Sequence, residues 1–405
     1  MTRNNLITAD FIVIGAGIIG LNIARELKRR YNSSRIIVLE KECQLGEHAS
    51  GRNSGVLHAG FYYTKDSLKA KFTRDGNRAL TQYCLEKNIP INRCGKLVVA
   101  RNEQEVAGLH ELLKRGQQNS IDLHLITEKE AQQIEPLVKT HQFALFSPTT
   151  SSVDPKTVLS HVLKDAENEG IQVLFGVKYL SKKDHIINTN QGCYEAGYII
   201  NTAGLYADNI AKDFGFSKHY TILPFKGLYL YGAHTGTEEK LRTHIYPVPD
   251  LRNPFLGVHF TMTVDGKVKI GPTAIPAFWR EHYQGLSRFN TREIMDVVWR
   301  EIGLFFHAGF DFRRLAIEEM KKYNRSYLVN QAAELANHTY SKHYKTWGKP
   351  GIRAQLLNTQ TRKLEMDFIL EGDKKSMHVL NAVSPAFTCS IPFSKYVVDS
   401  IETRR

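Results

Sequence analysis

The stretch Phe11-Ile12-Val13-Ile14-Gly15-Ala16-Gly17-Ile18-Ile19-Gly20-Leu21-Asn22-Ile23-Ala24 decides the fold. Its first four residues form an apolar, β-branched run with the character of a buried strand. Three glycines follow at the spacing G-x-G-x-x-G, and Leu21, Ala24 and Leu27 then recur at helical spacing. Arg35-Ile36-Ile37-Val38-Leu39 is a second buried strand with Glu40 at its end, so the segment completes a βαβ unit. In that context Gly15 permits the tight turn, Gly17 lets a diphosphate approach the backbone, and Gly20 lets helix pack on strand. The positive end of the helix attracts the anion. Glu40 is placed to accept the two ribose hydroxyls of an adenosine. The unit predicts a bound dinucleotide and leaves NAD and FAD open.

The chain has 405 residues, enough for two to three domains at ~150 residues each. With 42% hydrophobic and 23% charged residues, it has the apolar material for a large core, which excludes a mainly disordered chain. Phe11 to Ala24, the longest apolar stretch, contains three glycines and Asn22 and falls short of the ~17 residues of a membrane span. No cleavable signal pattern stands ahead of it. The five cysteines (Cys43, Cys84, Cys94, Cys193 and Cys389) are scattered without a CxxC pair. That argues against a disulfide framework or zinc ribbon and for reduced thiols, with a cytoplasmic location expected. The histidines show no ligand spacing with cysteines or carboxylates, so no metal is expected. A net charge of +13 favours anionic partners.

Helical patterns are expected near Ser67–Lys87 and Glu103–Gln118. Asp154-Pro155 opens another, an N-cap followed by a first-turn proline, which runs to about Glu169. Ile171 to Val177 and Tyr198 to Thr202 read as strands. Between Phe225 and Ile270 apolar and polar residues alternate with Pro, Gly and Asn breaks, the pattern of an antiparallel sheet. Thr291 to Tyr344 reads as mainly helical. The end returns to α/β, with strands near Met366–Leu370 and His378–Leu380 and a helix from Ser384. Residues 1–90, 145–215 and 350–405 are expected to form a discontinuous cofactor domain, and 91–144 and 216–349 a substrate domain.

The segment Ser50-Gly51-Arg52-Asn53-Ser54-Gly55-Val56-Leu57-His58-Ala59-Gly60 lies just after the second strand, where a glycine- and hydroxyl-rich loop offers backbone N–H groups to a phosphate or flavin. Here the sequence resembles the FAD-dependent oxidoreductases of the D-amino acid oxidase superfamily, and within it the L-2-hydroxyglutarate oxidase/dehydrogenase family. The resemblance rests on GAGIIG with Glu40-Lys41, GRNSGVLHAGFYY (51–63) with Ser67-Leu68-Lys69-Ala70, and Asn201-Thr202-Ala203-Gly204-Leu205-Tyr206-Ala207-Asp208. It continues through Leu223-Pro224-Phe225-Lys226-Gly227, LGVHFT (256–261), Gly271-Pro272-Thr273-Ala274, GIRAQL (351–356) and HVLNAVSPA (378–386). It implies an α/β fold: a glutathione-reductase-type, Rossmann-like FAD-binding lobe with a second, antiparallel-β-rich substrate lobe over the flavin. The implied reaction is oxidation of L-2-hydroxyglutarate, or a close 2-hydroxy acid, to 2-oxoglutarate, with oxygen or a quinone as acceptor. An amino-acid, amine or glycerol-3-phosphate oxidoreductase of the same superfamily is the first alternative, and a non-catalytic flavoprotein docking on a membrane or nucleic acid is the second. Besides Gly15, Gly17, Gly20 and Glu40, the cofactor contacts implied are Lys41, Arg52, Asn53, Ser54, Val177, Ala203, Gly204, Ser384 and Thr388. The chain departs from the family at Ala386-Phe387, where glycine-rich sequence is usual, at Lys226, where arginine is frequent, and at Pro392, which should kink the last helix.

His58 is the candidate base, because a neutral imidazole can take a hydroxyl proton near neutral pH. Arg353 is the candidate carboxylate anchor through a two-point guanidinium contact. His259 is a further catalytic candidate, and Lys226 and Tyr62 are candidates for a distal carboxylate. The helix after Ser384-Pro385 is placed to stabilise negative charge on the reduced flavin. From Lys321 to Arg353 there are seven basic residues and one acid, Glu334. This face is either simply solvated or makes contact with an anionic membrane surface. No nucleic-acid recognition motif is present, so no nucleic acid is expected.

Overall fold

The computed structural model describes residues 6–232, 241–251, 255–307 and 312–405. Parts of the expected sheet (233–240 and 252–254) and of the expected helical region (308–311) therefore lie outside the described residues. The chain divides into two compact units. The first is Met1–Asn53, Pro155–Pro224 and Arg353–Arg405, and the second is Ser54–Asp154 and Phe225–Ile352.

The first unit is built on a sheet in which strand Ile7–Ile14 lies beside Ile36–Glu40 on one side and Gly192–Asn201 on the other, both parallel to it. Gln172–Phe175 extends the sheet beyond Ile36–Glu40, and Ser376–Val379 extends it beyond Gly192–Asn201. Phe11 to Ile14 and Ile36 to Leu39 are all buried, as a parallel sheet covered on both faces requires. Helix Ile18–Arg30 packs on the terminal helix Ala386–Arg404. The parallel order confirms the α/β class read from the βαβ pattern.

The second unit carries an eight-stranded sheet. Its central strands are Lys96–Val99, His244–Pro247, His259–Met262 and Val268–Gly271. Leu97, Val99, Ile245, Phe260 and Ile270 face a core shared with Leu328, Val329 and Ala332 of helix Arg325–Ala333. Helix Glu103–Gln118, found where the periodicity predicts it, packs Val106, Leu109 and Leu112 against Val98, Leu145 and Tyr246.

Two expectations need correction. Residues 54–90 and 145–154, expected in the cofactor domain, belong to the second unit. There Val56 pairs with Ser152 and Ile91 with Val153, and the Asn77 amide donates to the Leu57 and Thr149 carbonyls. The first unit instead runs on to Pro224, because the buried Asp208 carboxylate accepts the Ile222 N–H at 3.0 Å. The strand expected at Met366–Leu370 is Leu370–Gly372. Ahead of it Asp367 accepts the Phe368 N–H, and Asn381 takes the Glu365 and Asp367 carbonyls, so those groups are unavailable to a strand ladder. Pro392 sits inside helix Ala386–Arg404. The missing hydrogen bond is offset by burial of Phe393, Val397, Val398 and Ile401 along its face.

Candidate active site

In the first unit the glycine turn and Glu40 come together as read. The Glu40 carboxylate accepts the Ala16 N–H at 2.9 Å and the Glu42 N–H at 3.0 Å, so it is tied to the turn itself. Gly15 has φ +106°, and a Cβ there would lie 2.7 Å from the Thr202 carbonyl oxygen, so only glycine fits. A Cβ at Gly20 would collide with the Gly15 carbonyl and lie 2.6 Å from Thr202 Oγ1. Gly17 is the N-cap of the helix and brings no capping side chain, and the first turn holds no acid, so its positive end is left for an anion. These features fit the diphosphate and adenosine ribose of FAD: a backbone cradle that a Cβ would fill, and a carboxylate fixed beside it.

Sequence reasoning overlooked two parts of this turn. Ser50 Oγ accepts the Ile18 N–H at 3.0 Å, and Thr202 Oγ1 donates to the Ile14 and Gly15 carbonyls. Both hydroxyls lie outside the glycine motif, and only the folded chain brings them to it. Among the other expected cofactor contacts, Ala203 N–H donates to the buried Asn201 side chain, and Val177 N–H donates to the Glu40 carbonyl. Gly204 has φ +55° with open space around its Cβ direction. Ser384 precedes a cis Pro385, and Thr388 is buried in the terminal helix. Lys41 pairs with Glu42 at 2.6 Å, Arg52 pairs with Glu47 at 3.0 Å, and the Asn53 amide donates to the Ala49 and Ser50 carbonyls. These three side chains hold the loop after the second strand. Arg353 lies half-buried near the start of strand Gly351–Asn358.

The second unit holds His58, Ser54, Tyr62, Lys226 and His259. His58 follows strand Val56–Leu57, and Ser54 Oγ accepts the Val56 N–H. His259 is buried on its strand. Its Nδ1 sits 2.7 Å from the Gly257 carbonyl, which makes Nδ1 the donor and leaves the Nε2 lone pair as acceptor. Burial pushes its pKa down to about 3, so the ring is neutral at pH 7. The ring stacks on Tyr246 at 3.7 Å. The Lys226 ammonium is buried and pushed down to about 8, and the Tyr62 hydroxyl is buried without a hydrogen-bond partner among the described residues.

Sequence reasoning also missed a polar row that crosses the sheet next to His259, which itself pairs with Gly271. Strand register aligns Ser147, Lys96 and His244, and aligns Thr261, Lys269 and Tyr231. The antiparallel Ile245–Phe260 pair joins these two sets by placing His244 beside Thr261. Lys96, His244, Thr261 and Lys269 are all buried. Burial pushes Lys96 down to about 7 and Lys269 to about 8, and His244 to about 3 with Lys96 as the next cause. The signal was present in His259-Phe260-Thr261-Met262, where core and polar residues alternate, and in Lys96, the one charge opening the apolar run Leu97-Val98-Val99.

The basic run 321–353 is partly neutralised in place: Lys321 pairs with Glu318 at 2.9 Å, and Lys322 with Glu319. Among the described residues no helix is long and apolar enough to cross a membrane.

Residues 10–314 match the family of FAD dependent oxidoreductases. The chain is 36% identical to the mitochondrial L-2-hydroxyglutarate dehydrogenase of Bos taurus, over 98% of this chain and 89% of that protein. It is 33% identical to the L-2-hydroxyglutarate dehydrogenase of Escherichia coli (strain K12), over 97% and 93%. Among solved structures it resembles FAD-bound L-alpha-glycerophosphate oxidase from Mycoplasma pneumoniae with a TM-score of 0.77 at 21% identity, covering 98% of this chain and 95% of that one. Glycine oxidase from Geobacillus kaustophilus gives 0.71 at 16% identity, covering 98% and 96%. At those identities the structures show the fold and the sequence relatives show the family. The glycine turn with its tethered Glu40, read together with full-length relatives, leads to one conclusion: the chain is an FAD-dependent enzyme of the L-2-hydroxyglutarate oxidase/dehydrogenase family.

Proposed function

We propose that this enzyme oxidises L-2-hydroxyglutarate to 2-oxoglutarate. The observation that carries the reading is identity of 36% to an L-2-hydroxyglutarate dehydrogenase across 98% of the chain. FAD, when bound, supplies the two-electron oxidant at flavin N5 that takes the α-hydride. The residues of the chain do the rest. Arg353 binds the carboxylate next to the reacting carbon and fixes which face of the substrate is presented. His58 takes the hydroxyl proton as the carbon–oxygen bond becomes a carbonyl, so proton and hydride together account for the two hydrogens lost. His259, neutral and with its Nε2 lone pair available, accepts a hydrogen bond and takes no proton at pH 7. Oxygen or a quinone then receives the electrons.

Anaerobic titration tests the reading. L-2-hydroxyglutarate should bleach the flavin absorbance of the purified enzyme, while amino acids and glycerol 3-phosphate leave it yellow. Bleaching by an amino acid alone would reassign the substrate. His58→Ala should slow reduction by about 100-fold or more with FAD retained, and Arg353→Ala should mainly raise the substrate concentration needed.

We also propose that an anionic membrane surface is met through helix Thr291–His307 rather than through the 321–353 run. Met295, Trp299 and Ile302 are 75%, 77% and 45% exposed and form one apolar stripe at helical spacing, while Arg300 on the same helix pairs with Asp296 at 2.7 Å. Trp299→Ser should reduce co-sedimentation with phosphatidylglycerol vesicles. Equal sedimentation of the two proteins would discard this surface.

A further inference from the structure

A buried sheet face is ordinarily apolar, but on the face of the second unit's sheet that carries Val98 and Tyr246 one row across four strands is polar. Lys96, His244, Thr261 and Lys269 cross four adjacent strands in one row, all buried. The row contains two lysines and no carboxylate. Among the described residues the Lys96 ammonium has no hydrogen-bond partner. The rings of Phe61, Tyr62 and Tyr246 surround it with centroids 4.5, 4.6 and 4.8 Å away. The Tyr62 hydroxyl is likewise buried and unpartnered. At the far end of the row Lys269 Nζ donates to the Ser54 carbonyl at 3.0 Å and lies over the Tyr229 ring at 4.5 Å.

Aromatic faces attract a cation but do not accept the three hydrogen bonds an ammonium offers. Three rings and no acceptor therefore leave Lys96 with donors that only an oxygen-bearing group can satisfy, and the cost of a buried charge falls most when that group is an anion. A chain that places two lysines on one buried row and supplies no acid from that row is arranged for negative charge brought from outside.

We infer that this row is the seat of the substrate's second carboxylate, with the Lys96 ammonium and the Tyr62 hydroxyl as its specificity-determining contacts and Lys269 as a flanking charge. The inference rests on the hydroxy-diacid reading above and adds the residues that distinguish a diacid from a monoacid. It displaces Lys226 from the distal-carboxylate role expected of it, and it keeps Tyr62.

Calorimetry of the FAD-loaded enzyme with the unreactive diacid glutarate and the monoacid butyrate tests it. The parent should bind glutarate at least about tenfold tighter than butyrate, the scale of one charge-assisted hydrogen-bond contact. Lys96→Met should bring that ratio close to one while leaving butyrate affinity and the flavin spectrum unchanged. Tyr62→Phe removes a single oxygen from the ring cage and should lower glutarate affinity several-fold without affecting butyrate, which serves as a check if Lys96→Met folds poorly. An undiminished glutarate preference in both variants, or equal loss of both acids, would overturn the assignment. So would sulfate binding the parent as tightly as glutarate does, which would make the row a general anion seat. If the parent prefers glutarate but L-2-hydroxyglutarate does not bleach its flavin, the substrate reading fails while the diacid seat stands.

Discussion

Lys96 shows how far a single buried residue controls the behaviour of the whole chain. Burial lowers its pKa from 10.5 to about 7. Between those values the unfolded chain carries a proton the native chain does not, so stability rises with pH from about 7 towards 10.5, and below 7 the full penalty is present. His244 and His259, both pushed down to about 3, act in the same direction at lower pH. The unfolded rings protonate near 6.5 and the native ones resist, so stability falls as pH drops from 6.5 towards 3. Lys226 and Lys269, both pushed down to about 8, add to the rise, and Glu301, pushed up to about 8, opposes it only below that value, so in thermal unfolding Tm should rise from about pH 8 to pH 9 and Lys96→Met should reduce that slope. A parallel rise in the variant would mean that other groups cause it. Glu40 exerts a different kind of control, over the cofactor. Its carboxylate oxygens hold the Ala16 and Glu42 N–H groups beside the turn. Glu40→Ala should weaken FAD retention by about tenfold or more, the worth of charged hydrogen bonds, measured as flavin lost on gel filtration. Retention equal to the parent's would remove Glu40 from the cofactor site.

At the scale of elements, the terminal helix shows tertiary packing overriding local propensity. Pro392 costs one backbone bond. Yet Phe393 beside it is fully buried and stacks on Phe368 with centroids 4.3 Å apart, and the helix packs against Ile18–Arg30, the helix that carries the glycine motif. Phe393→Ala should cost about 3–5 kcal/mol. For a chain of 405 residues that lowers Tm by roughly 5 °C, followed by intrinsic fluorescence during heating. A drop of only a degree or two would show that the stack contributes little. The sheet of the second unit makes the opposite point. Its strands obey the period-two rule, but the polar partner of each alternation is buried rather than wet.

At the scale of the whole molecule, the net charge of +13 acts on approach rather than on chemistry. A dianionic substrate should be captured more slowly as salt screens that field. Raising ionic strength from about 0.01 to 0.1 M shortens the Debye length from about 30 to about 10 Å. kcat/KM should fall several-fold over that range with kcat nearly constant, read by stopped-flow flavin reduction. A salt-independent kcat/KM would show that the excess positive charge lies away from the path of entry.

The βαβ unit, the dinucleotide turn and helix Glu103–Gln118 were legible in the chain itself, because each is set by residues within a few positions of one another: a strand run, a glycine spacing, an apolar period. Glu40 was legible because it ends the strand that follows the turn. What the tertiary structure alone decided depends on residues far apart in sequence. Ser50 and Thr202 reach the turn from 30 and nearly 190 positions away. Lys96, His244, Thr261 and Lys269 become a row only when four strands pair in register. Strand register and burial are collective properties of the sheet, so a local reading could find His259 as a lone histidine but not the charged row next to it.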